Sequence, residues 1–148
     1  MSVAVRRAWR VFSAYLVAAL GTYVLAAMAA TQWLLANIGG LGYEISTGTR
    51  LVTTGQDLWG MLPTYGPIIA IAMAIGLAVA SGIAKMLPAL RGVGLITGGA
   101  AAVVCLHLIL QQVVSVSPIW AAQSIGGLLA QGLAGGIGGY LYYLMRRS

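Results

Sequence analysis

The sequence predicts an all-α membrane protein in which four transmembrane helices form a compact bundle. Only 7% of the 148 residues are charged and 60% are hydrophobic, with a mean hydropathy of +0.94, whereas a soluble domain has about 25% charged residues. Charges are absent from three runs, 11–43, 58–84 and 92–145, and a membrane-spanning helix needs about 20 apolar residues. This composition excludes a disordered chain, a disulfide-stabilised secreted domain and a free soluble enzyme.

The number of spans is predicted from the lengths of these runs and from proline. The run at 92–145 has room for two helices, and Pro118 near its middle ends one helix and can open the next. The first 30 residues have the pattern of a signal peptide, but the apolar run continues through Trp33, so we expect a retained helix. The chain is expected to form one domain, 1–148, with spans near 10–37, 66–87, 92–116 and 119–145.

The basic residues predict how the spans are oriented. Seven of the eight Lys and Arg residues fall on one side of a four-span chain, and only Arg50 falls on the other side, with Glu44 and Asp57. Short cytoplasmic loops are rich in Lys and Arg, so both termini are expected in the cytoplasm of a bacterial inner membrane. This asymmetry and contact with anionic lipid head groups account for the net charge of +6, and nucleic-acid binding is not expected. The seven are Arg6, Arg7, Arg10, Lys85, Arg91, Arg146 and Arg147.

The segment 38–65 is the one substantial loop, on the outer side. It opens with several glycines and then offers Ser46 or Thr47 as a helix cap. We expect one or two short amphipathic helices on the outer membrane surface, or alternatively an extended loop packed over the bundle. Trp59 and Tyr65 are expected at the outer membrane boundary, where aromatic side chains are enriched.

Small residues predict where the helices pack, because helices in lipid associate through close contact. Every even position from Ala70 to Ala84 is Ala or Gly, which makes two small ridges and predicts that the second span lies between neighbours. The fourth span contains overlapping GxxxG pairs. These seams are interpreted as packing within the chain, or as an interface with a second copy or a partner subunit. The candidate interface residues are Ala72, Gly76, Ala80, Gly132, Gly135, Gly136 and Gly139.

The chain contains few groups that could carry out chemistry. Cys105 is the single cysteine, so it has no intramolecular disulfide partner and is expected to be a small buried apolar residue. Glu44 and Asp57 are the only acids, and both are expected in the outer loop, so no span carries a carboxylate for ordinary cation-coupled transport. No nucleotide-binding or hydrolase motif is present, and no metal site is expected.

An amide-rich polar set with one imidazole remains within the spans. At about 1.5 Å per residue, Gln32, Gln111 and Gln123 fall in one layer towards the outer face, while His107 and Gln131 lie nearer the midplane. A neutral His107 is expected to hydrogen-bond amides such as Gln111 or Gln131. The alternatives are a hydrogen-bonded cluster that holds the bundle together, an outward-opening polar cavity with His107 at its floor, or haem ligation by His107.

These observations predict a non-enzymatic integral membrane protein that acts by association, as an accessory subunit or a homo-oligomer, with membrane lipids around it and no cofactor. The alternative is a protein that binds or passes a lipid, quinone or small solute through the polar layer, with 38–65 as a lid. A third hypothesis is a haem- or proton-handling subunit of a membrane enzyme.

Overall fold

The computed structural model describes residues 2–113 and 124–147, and all regular structure in these ranges is helical. The predicted all-α class is confirmed. The helices are α1 (Val3–Gly40), α2 (Thr47–Gly60), α3 (Leu62–Met86), α4 (Arg91–Val113) and α5 (Ile125–Arg147), and a 3-10 turn at Pro88–Leu90 precedes α4.

Three helical segments are long and apolar enough to cross a membrane, namely Val3–Gly40, Leu62–Met86 and Pro88–Val113. Helix α5 is not one of the three, and seven of its 23 residues are glycine, which adds little hydrophobicity. The predicted fourth span, 119–145, corresponds to α5 only from residue 125 onward. Its expected beginning next to Pro118 lies outside the described residues.

Helix α1 is longer than the predicted span at 10–37. Its 38 residues begin at a cap in which the Ser2 hydroxyl accepts a hydrogen bond from the backbone N–H of Val5, so the basic segment before residue 10 is helical. At its other end, Gly42 has a φ of +93°, and the chain turns there towards α2.

The amphipathic segment predicted in the outer loop is the single helix α2. Ser46 caps it by accepting a hydrogen bond from the N–H of Thr49. Helix α2 packs along the C-terminal half of α1, because Thr54 and Asp57 both bond side chains of α1, whereas its Trp59 is exposed. Met61 keeps helical backbone angles, so α2 leads into α3 with a break of one residue.

The long helices pack with their neighbours antiparallel. The beginning of α5 faces the C-terminal part of α1, where Gly126 meets the Trp33 ring, and Gly21 at the middle of α1 meets Leu141 near the end of α5. Helix α5 lies between α1 and α4, and α3 packs on both α4 and α1. The core that joins them includes Ile69 and Met73, both fully buried.

Candidate functional site

A chain of polar contacts crosses the interior of the protein and involves all four long helices. The Tyr65 hydroxyl on α3 lies 3.1 Å from His107 Nε2 on α4 and 3.0 Å from Gln131 Oε1 on α5. Gln131 Nε2 donates to the carbonyl oxygen of Ala26 on α1 at 2.9 Å, and His107 Nδ1 lies 2.8 Å from the carbonyl oxygen of Val103. We call this series of contacts, from Ala26 to Val103, the polar chain.

The polar chain is buried because each of its three side chains continues the buried face of its helix. Tyr65 lies in the same row as Ile69 and Met73, at steps of four residues. His107 is likewise four residues beyond the fully buried Val103. His107 is 1% exposed, Gln131 0% and Tyr65 5%. The three polar groups therefore meet where apolar core side chains would otherwise meet.

The structure separates the predicted amides into different environments. Gln131 reaches His107 only through Tyr65, which was predicted to lie at the outer membrane boundary and is instead the centre of the polar chain. Gln111 is half-buried on α4, and Gln123 lies outside the described residues. Of the three glutamines predicted to share one layer, Gln32 and Gln111 lie within the described residues and Gln123 does not.

Gln32 belongs to a second polar group, between α1 and α2. Its Oε1 accepts a hydrogen bond from Arg50 Nη1 at 3.0 Å, and its Nε2 donates to the Thr54 hydroxyl at 2.8 Å. One turn further along α2, Asp57 Oδ2 accepts a hydrogen bond of 2.7 Å from the hydroxyl of Thr31, the residue before Gln32. We call this group the α2 cluster. It holds α2 against α1 through contacts of both Arg50 and Asp57.

The predicted glycine seams lie against neighbouring helices of the same chain. Gly135 meets the backbone of Gly99 on α4, Gly139 meets the backbone of Leu95, and Gly132 faces the side chain of Val104. Gly136 has looser contacts on α4. Glycine allows this close approach because a side chain at the contact would block the other helix.

On α3 the structure distinguishes the two predicted small ridges. The ridge containing Ala72, Gly76 and Ala80 faces α4, where Gly76 meets Ala102 and Ala80 meets Gly98. The other ridge continues through Ala74 and Ala78 to Gly82. All three of these residues are exposed, and nothing lies within 4 Å of a methyl group placed on Gly82. Helix α3 is therefore covered on one small ridge and bare on the other.

An apolar groove of about 710 Å³ opens between α3 and α4 on the exterior of the protein. Its walls include Ile71 and Ile75 from α3 and Ile109 from α4, all about 60% exposed. Cys105 lines the same groove and is exposed, so the expectation that it is buried was wrong. We call this feature the α3/α4 groove. The bare ridge of α3, formed by Ala74, Ala78 and Gly82, lies on the surface of α3 next to the residues of α3 that line the groove.

Basic residues gather at the opposite end of the molecule from the α2 cluster. A cavity of about 450 Å³ lies between the N-terminal part of α1, the beginning of α4 and the end of α5. Its basic lining residues are Arg6, Arg7, Arg10, Arg91 and Arg146. Arg146 also donates to the Tyr142 hydroxyl at 3.3 Å. Acidic groups are not part of this lining, so it presents a strongly positive surface.

In the described ranges, no group of three or more His, Cys, Asp or Glu residues could hold a metal ion. Comparison of the chain with protein-family models, curated proteins and solved structures gives no match.

Proposed function

We propose that the protein is a four-span integral protein of a bacterial inner membrane that acts by association and performs no catalysis. In the preferred form, two copies associate through the α3/α4 groove and the bare ridge of α3. In the alternative form, the same face holds a helix of a partner subunit. One observation carries this proposal: among the residues that the structure describes, this face of α3 is uncovered, while the glycine seams of α5 are filled from within the chain.

The burial of α5 supports a fourth span. It lies between two helices that are themselves long and apolar enough to cross a membrane, and it packs antiparallel to α1 along most of its length. A helix held in this way crosses the bilayer with its neighbours. Five arginines at one end, and Arg50 with Asp57 at the other, have the distribution expected for cytoplasmic termini.

The bare face of α3 has the residues that helix association in lipid requires. Small side chains at Ala74, Ala78 and Gly82 allow another backbone to approach closely. Ile75 and Val79 beside them are about 60% exposed and supply side chains that a partner helix can pack against. A twofold contact would place this patch against its own copy, as in most homo-oligomers.

The state of His107 supports a role other than catalysis or haem binding. Both ring nitrogens lie within hydrogen-bonding distance of protein oxygens, and the side chain is 1% exposed. Haem ligation would require a ring nitrogen to leave its partner and a space to open beside it. The polar residues nearest to His107 are therefore best explained as internal contacts of the bundle.

A second candidate function is the binding of a lipid, a quinone or a small apolar solute. The α3/α4 groove favours it, because a volume of about 710 Å³ with apolar walls falls within the range of ligand sites. This site differs from the polar cavity expected around His107, since Cys105 and Leu106 line the groove and His107 does not.

Cys105 provides a direct test, since it is the single cysteine and lies in the groove. We expect oxidation of the protein in lipid bilayers to join two copies through Cys105, and Ala101→Trp to abolish this product by filling the groove. Leu20→Trp, on the exposed face of α1, is the matched control and should leave the product unchanged. Cys105→Ser should eliminate it.

Mass measurement of the bilayer-extracted protein separates the two candidates. A monomer that carries a lipid or quinone, lost specifically in Ala101→Trp, would favour the binding function. A monomer with no bound molecule, and no difference between the two tryptophan variants, would contradict both.

A further inference from the structure

We propose that the polar chain is a buried proton-binding site, in which His107 takes up one proton and thereby completes the hydrogen bonding between the four long helices. This inference is independent of the association proposed above, because the polar chain lies in the interior and the α3/α4 groove lies on the exterior.

The proposal rests on the number of protons that the polar chain needs. It has four contacts, from Ala26 O to Gln131, to Tyr65, to His107 and to Val103 O. Each contact needs one hydrogen between its two atoms. Both ends are carbonyl oxygens, which accept hydrogen bonds and cannot donate them.

The three side chains between these ends supply three hydrogens when all are neutral. The Gln131 amide donates through its nitrogen on one side and accepts through its oxygen on the other. The Tyr65 hydroxyl has one hydrogen, and a neutral imidazole has one N–H and one accepting nitrogen. Three hydrogens cannot fill four contacts, so one pair of atoms in the neutral chain consists of two acceptors.

This deficit does not depend on how the side chains are oriented. Turning the Gln131 amide moves the unfilled contact to Ala26 O, and moving the imidazole hydrogen to Nε2 moves it to Val103 O. An imidazolium supplies the missing hydrogen. In that state His107 donates to both Val103 O and Tyr65 Oη, Tyr65 donates to Gln131 Oε1, and Gln131 donates to Ala26 O.

Few other ionisable groups face this site. Tyr65 on α3 contacts His107 directly, and Tyr23 on α1 lies beyond it, with the two tyrosine ring centroids 6.1 Å apart. Asp57 on α2 is held by Thr31 in the α2 cluster. Helix α5 contributes Gln131 and has no ionisable side chain between residues 125 and 139, and Cys105 on α4 faces the groove.

Burial opposes the charged imidazole, since a cation loses hydration in an apolar interior. The fourth hydrogen bond opposes this penalty, because bonds to charged groups are stronger than neutral ones. Proton uptake therefore joins Ala26, Gln131, Tyr65 and His107 into one unbroken series, and proton release opens one contact between two helices. The site couples pH to the packing of α1, α3, α4 and α5.

The test is a titration of the His107 ring nitrogens by ¹⁵N NMR in the full-length protein in detergent micelles. Gln131→Met removes two of the four contacts and one of the three hydrogens at nearly constant volume. The two hydrogens that remain fill the two contacts that remain, so Tyr65 can donate to a neutral His107 without any deficit. We expect the proton affinity of His107 to fall at least about tenfold in this variant, the change produced by one charged hydrogen bond.

Tyr65→Phe is a second variant, in case Gln131→Met does not fold, and it should lower the proton affinity of His107 as well. Tyr140→Phe, at an exposed tyrosine of α5, should leave the titration unchanged. The proposal fails if the wild-type imidazole remains neutral down to pH 4, or if its proton affinity equals that of both chain variants.

Discussion

Adjacent glycines of α5 should differ in how alanine at each position changes the stability of the protein. A methyl group on Gly135 would lie 2.7 Å from Val103 Cγ2 and 3.0 Å from the backbone carbonyl carbon of Gly99. On Gly136, the nearest atom would be Ile96 Cγ2 at 3.6 Å, an ordinary carbon–carbon contact. The helix-forming advantage of alanine over glycine, about 1 kcal/mol, is common to both positions.

The difference between the two variants therefore measures the close contact of α4 and α5. Relief of the Gly135→Ala clash requires the helices to separate by about 0.5–1 Å, which forfeits about a quarter to a half of each dispersion contact affected. Overpacking of this kind costs about 1–3 kcal/mol. We expect Gly135→Ala to be less stable than Gly136→Ala by this amount, and Gly136→Ala to be at least as stable as the wild type.

The assay is the fraction of protein that elutes as a folded peak on size exclusion in detergent after heating, followed as a function of temperature. Wild type, Gly135→Ala and Gly136→Ala are compared at equal concentration. Equal midpoint temperatures for Gly135→Ala and Gly136→Ala would refute the close contact at Gly135. The two glycines are adjacent in the same helix, so the contact with α4 is the difference on which this expectation depends.

Three further predictions concern other parts of the molecule. Thr22→Ala should be nearly neutral or stabilising, because the methyl group lost contributes about 0.8 kcal/mol whereas the hydroxyl removed is buried without a partner in the described structure. Thr31→Ala loses the same methyl group together with a hydroxyl whose single hydrogen has Asp57 Oδ2 and the Ala27 carbonyl oxygen as acceptors, so its midpoint in the heating assay should be the lower of the two. Tyr65→Phe should lower the free energy of unfolding in detergent by about 1–3 kcal/mol, which is more than His107→Leu should lower it. Without the Tyr65 hydroxyl, both His107 Nε2 and Gln131 Oε1 lose their hydrogen-bond donor, whereas in His107→Leu the Tyr65 hydroxyl can still donate to Gln131 Oε1. An epitope inserted in 41–46 should be labelled from outside the cell and one at the C-terminus only after permeabilisation, and the reverse pattern would overturn the orientation.

Some features of the site could have been recognised before the structure was known. The enrichment of aromatic residues at the membrane boundary predicts Tyr65 there, yet Tyr65 occupies the same four-residue row as Ile69 and Met73. That row indicates a buried tyrosine, and a buried hydroxyl needs partners. The exposure of Cys105 had no such signal, since an apolar helix that crosses lipid is equally apolar on its inner and outer faces.

The sequence by itself determined the helical class, the apolar segments, the presence of an amphipathic segment between the first two of them and the separation of charges along the chain. These properties depend on composition and local order, because helix formation and membrane insertion are decided within one segment at a time. The tertiary structure alone decided which small-residue ridges are filled. It also decided that Tyr65, not a second amide, joins His107 to Gln131. Such choices depend on helix rotation and register, and in lipid the contrast between polar and apolar faces that reveals rotation in a soluble protein is missing.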